Sequence, residues 1–278
     1  MPRGTRVPRG MFVDPRRRMP EPIARRWPDR LWIVRHGQSA GNVARDAADA
    51  AGHLVIDIAE RDVDVPLSPL GEEQAASLGR WFAAMPEDER PTVVLTSPYA
   101  RARQTASAVC DAGGAAATSR TVVDERLREK EFGILDRLTH RGIVERYPEQ
   151  SEARARLGKF YHRPPGGEAW TDVILRLRSV LDTVSLHHAR PGSRVLVVAH
   201  QVIVLCFRYL IEEMTEDEIL AVDRQGDVAN CGVTAYALDP TMQDDGGRLQ
   251  LEVYNFSAPL EAEGTPVTAR PDRPAGAR

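Results

Sequence analysis

Apolar residues along this chain fall into two rhythms. Three short, largely apolar runs at residues 31–34, 92–95 and 194–199 are too brief for helices and predict buried strands. Elsewhere the apolar positions recur at helical spacing. Leu78, Phe82 and Met85 follow Ser68-Pro69, a cap and a proline at the first helical position, with Glu72 and Glu73 toward the positive end of the dipole. Val173, Leu177, Val180 and Val184 stripe a helix that starts near Glu168. Residues 201–211 continue the third run as a helix, and Thr215 with Glu218 forms a capping box for a shorter one. Residues 141–161 are helical in composition and stop before Pro164-Pro165-Gly166-Gly167. Residues 121–123 are a further candidate strand, and 231–238 with 249–256 form a hairpin pattern. Strands interleaved with helices from 31 to 211 predict one α/β domain with a largely parallel sheet. Residues 45–64 carry no firm element; they lie just past the first strand, placed to roof whatever binds at its end.

The first run ends on Arg35, His36 and Gly37, and the third on His200. The second ends on Thr96-Ser97-Pro98, which reads as a helix start with Arg101 and Arg103 in the opening turns. Ligands of open α/β sheets bind where strands give way to helices, and the free amides that open a helix suit an anion. Arg35, His36, Arg101 and His200 therefore converge on one sheet edge. Guanidinium groups match phosphate oxygens, and a neutral imidazole can attack phosphorus. A lone histidine beside a strand is as readily a packed core residue as a nucleophile; the convergence favours a phosphate site with His36 as nucleophile. The leaving oxygen then needs a proton. Glu129, in the charged stretch 125–131 beside Phe132 and Gly133, is the candidate acid.

Composition restricts the alternatives. A chain of 278 residues, 42% hydrophobic, has ample material for a core, and a net charge of −3 gives no global drive toward nucleic acid or membrane. No apolar run approaches the roughly 20 residues of a membrane span. Three dispersed cysteines, Cys110, Cys206 and Cys231, include no Cys-x-x-Cys pair; they read as reduced thiols of a cytoplasmic protein, and no metal site is expected. Residues 1–28, rich in proline and arginine, are expected to be a disordered basic arm, the catalytic domain to occupy 29–257, and 258–278 to be a disordered tail.

Arg35-His36-Gly37-Gln38-Ser39 with Asn42, residues 97–105, Leu127-Arg128-Glu129 with Phe132-Gly133, and Val198-Ala199-His200 together resemble the histidine phosphatase, or phosphoglycerate mutase-like, superfamily. The resemblance implies a three-layer α/β/α fold and a covalent phosphohistidine on His36. Arg35, Asn42, Arg101 and His200 would hold the phosphoryl group, with Glu129 as proton donor and no metal or cofactor. The sequence departs from the usual pattern at Gln38, Ala169 and Gln201, the last at a helix N-terminus where its backbone amide can still meet phosphate. The expected activity is hydrolysis of a small phosphomonoester. A phosphoglycerate mutase-type transferase and a non-catalytic phosphate-binding module are the alternatives. The segment from Glu129 to His200 is shorter than in the cofactor-dependent mutases, which favours hydrolysis. Arg128, Lys130, Arg137 and Arg141 would suit a multiply anionic substrate, or simply a solvated helix face.

Overall fold

The computed structural model describes residues 26–239, 241 and 247–269. The chain runs β1 (Arg30–Arg35), α1 (Ala40–Ala50), α2 (Pro69–Ala83), β2 (Val93–Thr96), α3 (Ala100–Asp111) and β3 (Arg120–Val123). It continues through α4 (His140–Arg146), α5 (Pro148–Tyr161), α6 (Trp170–His187), β4 (Arg194–Ala199), α7 (Gln201–Ile211) and α8 (Glu216–Gln225). Strands β5 (Val233–Asp239) and β6 (Arg248–Phe256) and the short helix α9 (Ala258–Glu261) follow. One six-stranded sheet, ordered β3-β2-β4-β1-β5-β6, results; its first four strands are parallel, and β5 and β6 form the antiparallel hairpin at one side.

Alternation along β1 sends successive side chains to opposite faces. Leu31 and Ile33 join Val195 and Val197 in a core with Leu177 and Val180 of α6 and Ile203 and Phe207 of α7. Trp32 and Val34 join Leu196 and Val198 against Leu78 and Phe82 of α2 and Ala102 and Ala106 of α3. The sheet is thus the middle of three layers. Leu177 has no exposed surface, and truncating it to alanine is expected to cost about 2–5 kcal/mol.

Register carries this packing to the site. Arg35 pairs with Ala199, and Thr96 with Val198, so the residues that follow emerge at one level of the sheet edge. His36 N donates to the Ala199 carbonyl at 2.9 Å, and Ser97 N to that of Val198 at 3.0 Å. His36, Ser97 and His200 consequently stand side by side.

Four sequence expectations are corrected. The helical stretch 141–161 is two helices, because Pro148 starts α5 at its first position and Tyr147 between them is non-helical. Helix α3 starts at Ala100 rather than at Pro98, and α6 at Trp170, where the Asp172 carboxylate accepts from Ala169 N. Residues 258–269 are not a loose tail, since Leu260 is fully buried against the α2 face and Ser77 Oγ meets Thr265 Oγ1 at 2.8 Å. The remainder of that expected tail, 270–278, and residues 1–25 of the expected arm lie outside the described residues.

Candidate active site

The turn after β1 is held against the start of α2 by two glycines. A Cβ on Gly37 would meet the Gly71 carbonyl oxygen at 2.5 Å, and one on Gly71 would meet that of Gln38 at 1.8 Å. Glycine at both positions permits the approach. Inside the turn, His36 Nδ1 lies 2.6 Å from the Gly37 carbonyl oxygen. A carbonyl can only accept, so Nδ1 carries the proton and Nε2 presents its lone pair. Arg101 Nε, a donor only, points at that Nε2 from 3.3 Å. The imidazole is therefore oriented and in the tautomer suited to nucleophilic attack.

Arg101, in the first turn of α3, also faces Asp62. Its Nη1 donates to the Asp62 carbonyl at 2.6 Å and to Asp62 Oδ1 at 3.0 Å. The unassigned stretch 45–64 thus does roof the site, through α1, an irregular segment and a 3₁₀ turn at Asp62–Asp64. His36 and His200 have no exposed surface, and the cleft that Arg101 shares is lined also by Ser39, Asn42, Asp62, Glu129 and Phe132 among others.

His200 caps α7, its ring centroid 5.1 Å from that of His36 and its Nε2 hydrogen-bonded to Ser97 Oγ at 2.8 Å. Tyr99 packs edge-on against His200 and lies under the Arg101 guanidinium. Burial, reinforced by the Asp62 charge, holds the Tyr99 hydroxyl far above its ordinary range. Asn42 is the third residue of α1, where its Oδ1 accepts from Ser39 N at 2.9 Å in a capping box. Arg35 is wholly buried and donates from Nη1 to the Val228 carbonyl at 2.6 Å. Gln201 is also turned inward, its Nε2 2.9 Å from Asp227 Oδ1. Of the seven residues singled out from sequence, His36, Arg101 and His200 meet directly, Asn42 and Glu129 share the cleft with Arg101, and the side chains of Arg35 and Gln201 hold neighbouring chain.

Glu129 sits on a loop after the 3₁₀ turn Glu125–Leu127, 1% exposed, with Oε1 accepting from Lys130 N at 2.8 Å. The loop is held from α6. Arg176 grips the Glu168 carboxylate with Nε and Nη2, both at 3.0 Å, and donates to the Glu129 carbonyl at 3.3 Å. Glu168 in turn accepts from Arg128 Nη2 at 2.7 Å and from Glu131 N at 3.1 Å. Burial alone would raise the Glu168 carboxyl, but these partners hold it below the usual carboxylate range. Gly133, at φ +56°, lets this loop touch 165–167; a Cβ there would lie 2.1 Å from the Pro165 carbonyl oxygen. Burial pushes the neighbouring Lys130 ammonium down to about 8.

Sequence reasoning missed Asp62, Ser97 in its role beside His200, and Arg176. Ser97 carries the sequence signal of a cap, whereas Asp62 and Arg176 act across 39 and 47 residues of chain and leave no local trace. Among the described residues no cluster of three or more His, Cys, Asp or Glu side chains is arranged to hold a metal ion, and no helix is long and apolar enough to cross a membrane.

The family model described as histidine phosphatase superfamily (branch 1) matches residues 31–243. The chain is 30% identical over 221 residues to a 6-phosphofructo-2-kinase/fructose-2,6-bisphosphatase of Caenorhabditis elegans, covering 76% of this chain and 42% of that protein. It therefore spans less than half the length of that relative. It is 28% identical over 202 residues to a 2,3-bisphosphoglycerate-dependent phosphoglycerate mutase of Rhizobium meliloti, covering 69% of this chain and 84% of the mutase. A mycobacterial glucosyl-3-phosphoglycerate phosphatase solved with VO3 superposes with TM-score 0.61 at 24% identity, covering 82% of this chain and 99% of that one, a likeness of fold.

Proposed function

The chain belongs to the histidine phosphatase superfamily, and from that premise we propose that it hydrolyses a small phosphomonoester through a covalent phosphohistidine on His36. The observation that carries this reading is the orientation of His36, with its Nδ1 proton engaged by Gly37 and its Nε2 facing Arg101. Nε2 attacks phosphorus as the ester P–O bond breaks, and Glu129 gives its proton to the departing oxygen. The Glu129 carboxylate then takes a proton from the water that attacks the phosphohistidine, the P–N bond breaks, and orthophosphate leaves with His36 restored. Arg101 and His200 flank the phosphoryl group, and Asn42 meets it from the first turn of α1 through its amide NH2. Arg35, at the end of β1, and the Gln201 backbone amide, at the start of α7, complete the phosphate site, while their side chains also bond the Val228 carbonyl and Asp227. These charge-assisted donors stabilise the extra negative charge of the transition state.

Hydrolysis is favoured over mere phosphate binding by the oriented His36 imidazole, whose Nε2 faces Arg101, a residue that lines one cleft with Glu129; phosphoryl transfer is the alternative, since the relatives include a mutase beside a bisphosphatase. The test is turnover of p-nitrophenyl phosphate by the wild type and by His36→Ala. Orders-of-magnitude loss in the variant is expected. Wild-type turnover in His36→Ala, or none in the native protein, would overturn the reading.

A further inference from the structure

The segment beyond α9 returns to the nucleophile turn. Leu260 anchors it in the core beside α2, and Ser77 fixes Thr265. Gln74 Nε2 then donates to the Pro266 carbonyl at 2.8 Å and to Thr268 Oγ1 at 3.0 Å, while Thr268 Oγ1 donates to Asn230 Oδ1 at 2.9 Å. The two side chains that Thr268 joins both grip the turn, which Thr105 Oγ1 also holds by accepting from Gly37 N at 3.1 Å. Asn230 Nδ2 donates to the His36 carbonyl at 3.0 Å, and Gln74 Oε1 accepts from Gln38 N at 2.8 Å. Both are buried, 1% and 0% exposed. A primary amide can present either its oxygen or its NH2 to the turn. The Pro266 and His36 carbonyls, which only accept, and Gln38 N, which only donates, fix which end each amide presents, and the Thr268 hydroxyl, accepting from one amide and donating to the other, ties the two together.

We infer that Thr268 is a positioning residue, whose hydroxyl closes a ring of hydrogen bonds through Asn230 and Gln74 that holds the 36–38 turn and so aims His36 Nε2. The inference rests on the reading of His36 as nucleophile for its catalytic consequence but not for its structural one. A small misplacement of a reacting atom can cost up to about a hundredfold in rate, whereas phosphate affinity, set by Arg101 and its neighbours, is little affected. Thr268 is itself partly exposed on the last described stretch of chain, so its loss leaves the core intact.

The experiment compares Thr268→Val, which keeps the shape and removes the hydroxyl, with Thr268→Ser, which restores it. In Thr268→Val, amide hydrogen exchange at Gln38 should quicken, and kcat on p-nitrophenyl phosphate should fall about tenfold with KM and the orthophosphate inhibition constant within twofold. Thr268→Ser should return both to near wild type, with Tm of all three proteins alike. Unchanged Gln38 exchange in Thr268→Val overturns the ring. Quickened exchange with an unchanged kcat, or a kcat loss that serine does not rescue, overturns the positioning role. If the wild type forms no phosphohistidine, the proposed function fails while Gln38 exchange still decides the ring.

Discussion

Arg101 Nε faces His36 Nε2 at 3.3 Å, so the guanidinium that would bind the phosphoryl group already points at the atom that would attack it. Arg101→Ala is expected to raise the orthophosphate and vanadate inhibition constants and lower kcat/KM together, while leaving Tm within a few degrees. Arg35→Ala differs. It leaves the buried Val228 carbonyl without its 2.6 Å donor and opens a cavity, so Tm must fall as well as rate. Inhibition and thermal melts on the two variants separate these outcomes; a wild-type inhibition constant in Arg101→Ala would remove that residue from the phosphate site.

The Asp62 carboxylate pairs with Arg101, so in the proposed reaction it competes with a phosphate oxygen for that guanidinium and its charge opposes an incoming dianion. Asp62→Asn is expected to lower the orthophosphate inhibition constant about fivefold, the factor that corresponds to the ~1 kcal/mol of a partly exposed ion pair. Raising ionic strength should narrow the difference between the two proteins. Weaker phosphate binding in Asp62→Asn would mean that Asp62 orients Arg101 rather than competing with substrate.

In the proposed reaction Glu129 protonates the leaving oxygen, a service that matters only when that oxygen is a poor leaving group. In Glu129→Gln, hydrolysis of an alkyl phosphate should fall about 10²–10⁴-fold, and p-nitrophenyl phosphate much less. The ratio of kcat/KM on the two substrates is the readout. Equal losses would reassign Glu129 to holding the loop. Glu168 is a poor replacement, since Arg176 and Arg128 hold it ionised.

Lys130 gives the fold a pH dependence of predictable sign. Burial lowers its folded value from 10.5 to about 8, so between those values the unfolded chain binds a proton that the native protein does not. Stability contributed by this site therefore rises with pH across that window, by about 1 kcal/mol per unit. Denaturant unfolding of wild type and Lys130→Met at pH 8, 9 and 10 should show the difference moving in favour of the wild type. A flat or falling difference contradicts the burial of a charged Lys130.

Strands β1 and β4 were legible because their apolar runs are buried on both faces, and His36 and His200 because each stands directly where such a run stops. Helix α2 was legible to its first residue from Ser68 and Pro69. Local patterning could not reveal what Ser97 bonds to, because a serine before a proline reads as a cap whether its hydroxyl meets a backbone amide or His200 Nε2. The same limit hid the segment 258–269, whose proline and alanine content reads as loose although Leu260 is fully buried. Asp62, Arg176 and Thr268 act through hydrogen bonds between distant parts of the chain, and such bonds leave no periodicity.

The proposed hydrolysis stands on a covalent intermediate on His36. Glu129→Gln should slow the water attack that discharges it, while p-nitrophenyl phosphate, whose phenolate leaves without an acid, should still load it. Rapid quench of that variant under alkaline conditions, followed by peptide mass analysis, is predicted to find one acid-labile phosphoryl group on His36 and none when His36→Ala is added. Continued turnover with no phosphorylated peptide, or a phosphoryl group on any other residue, would rule out His36 as the nucleophile.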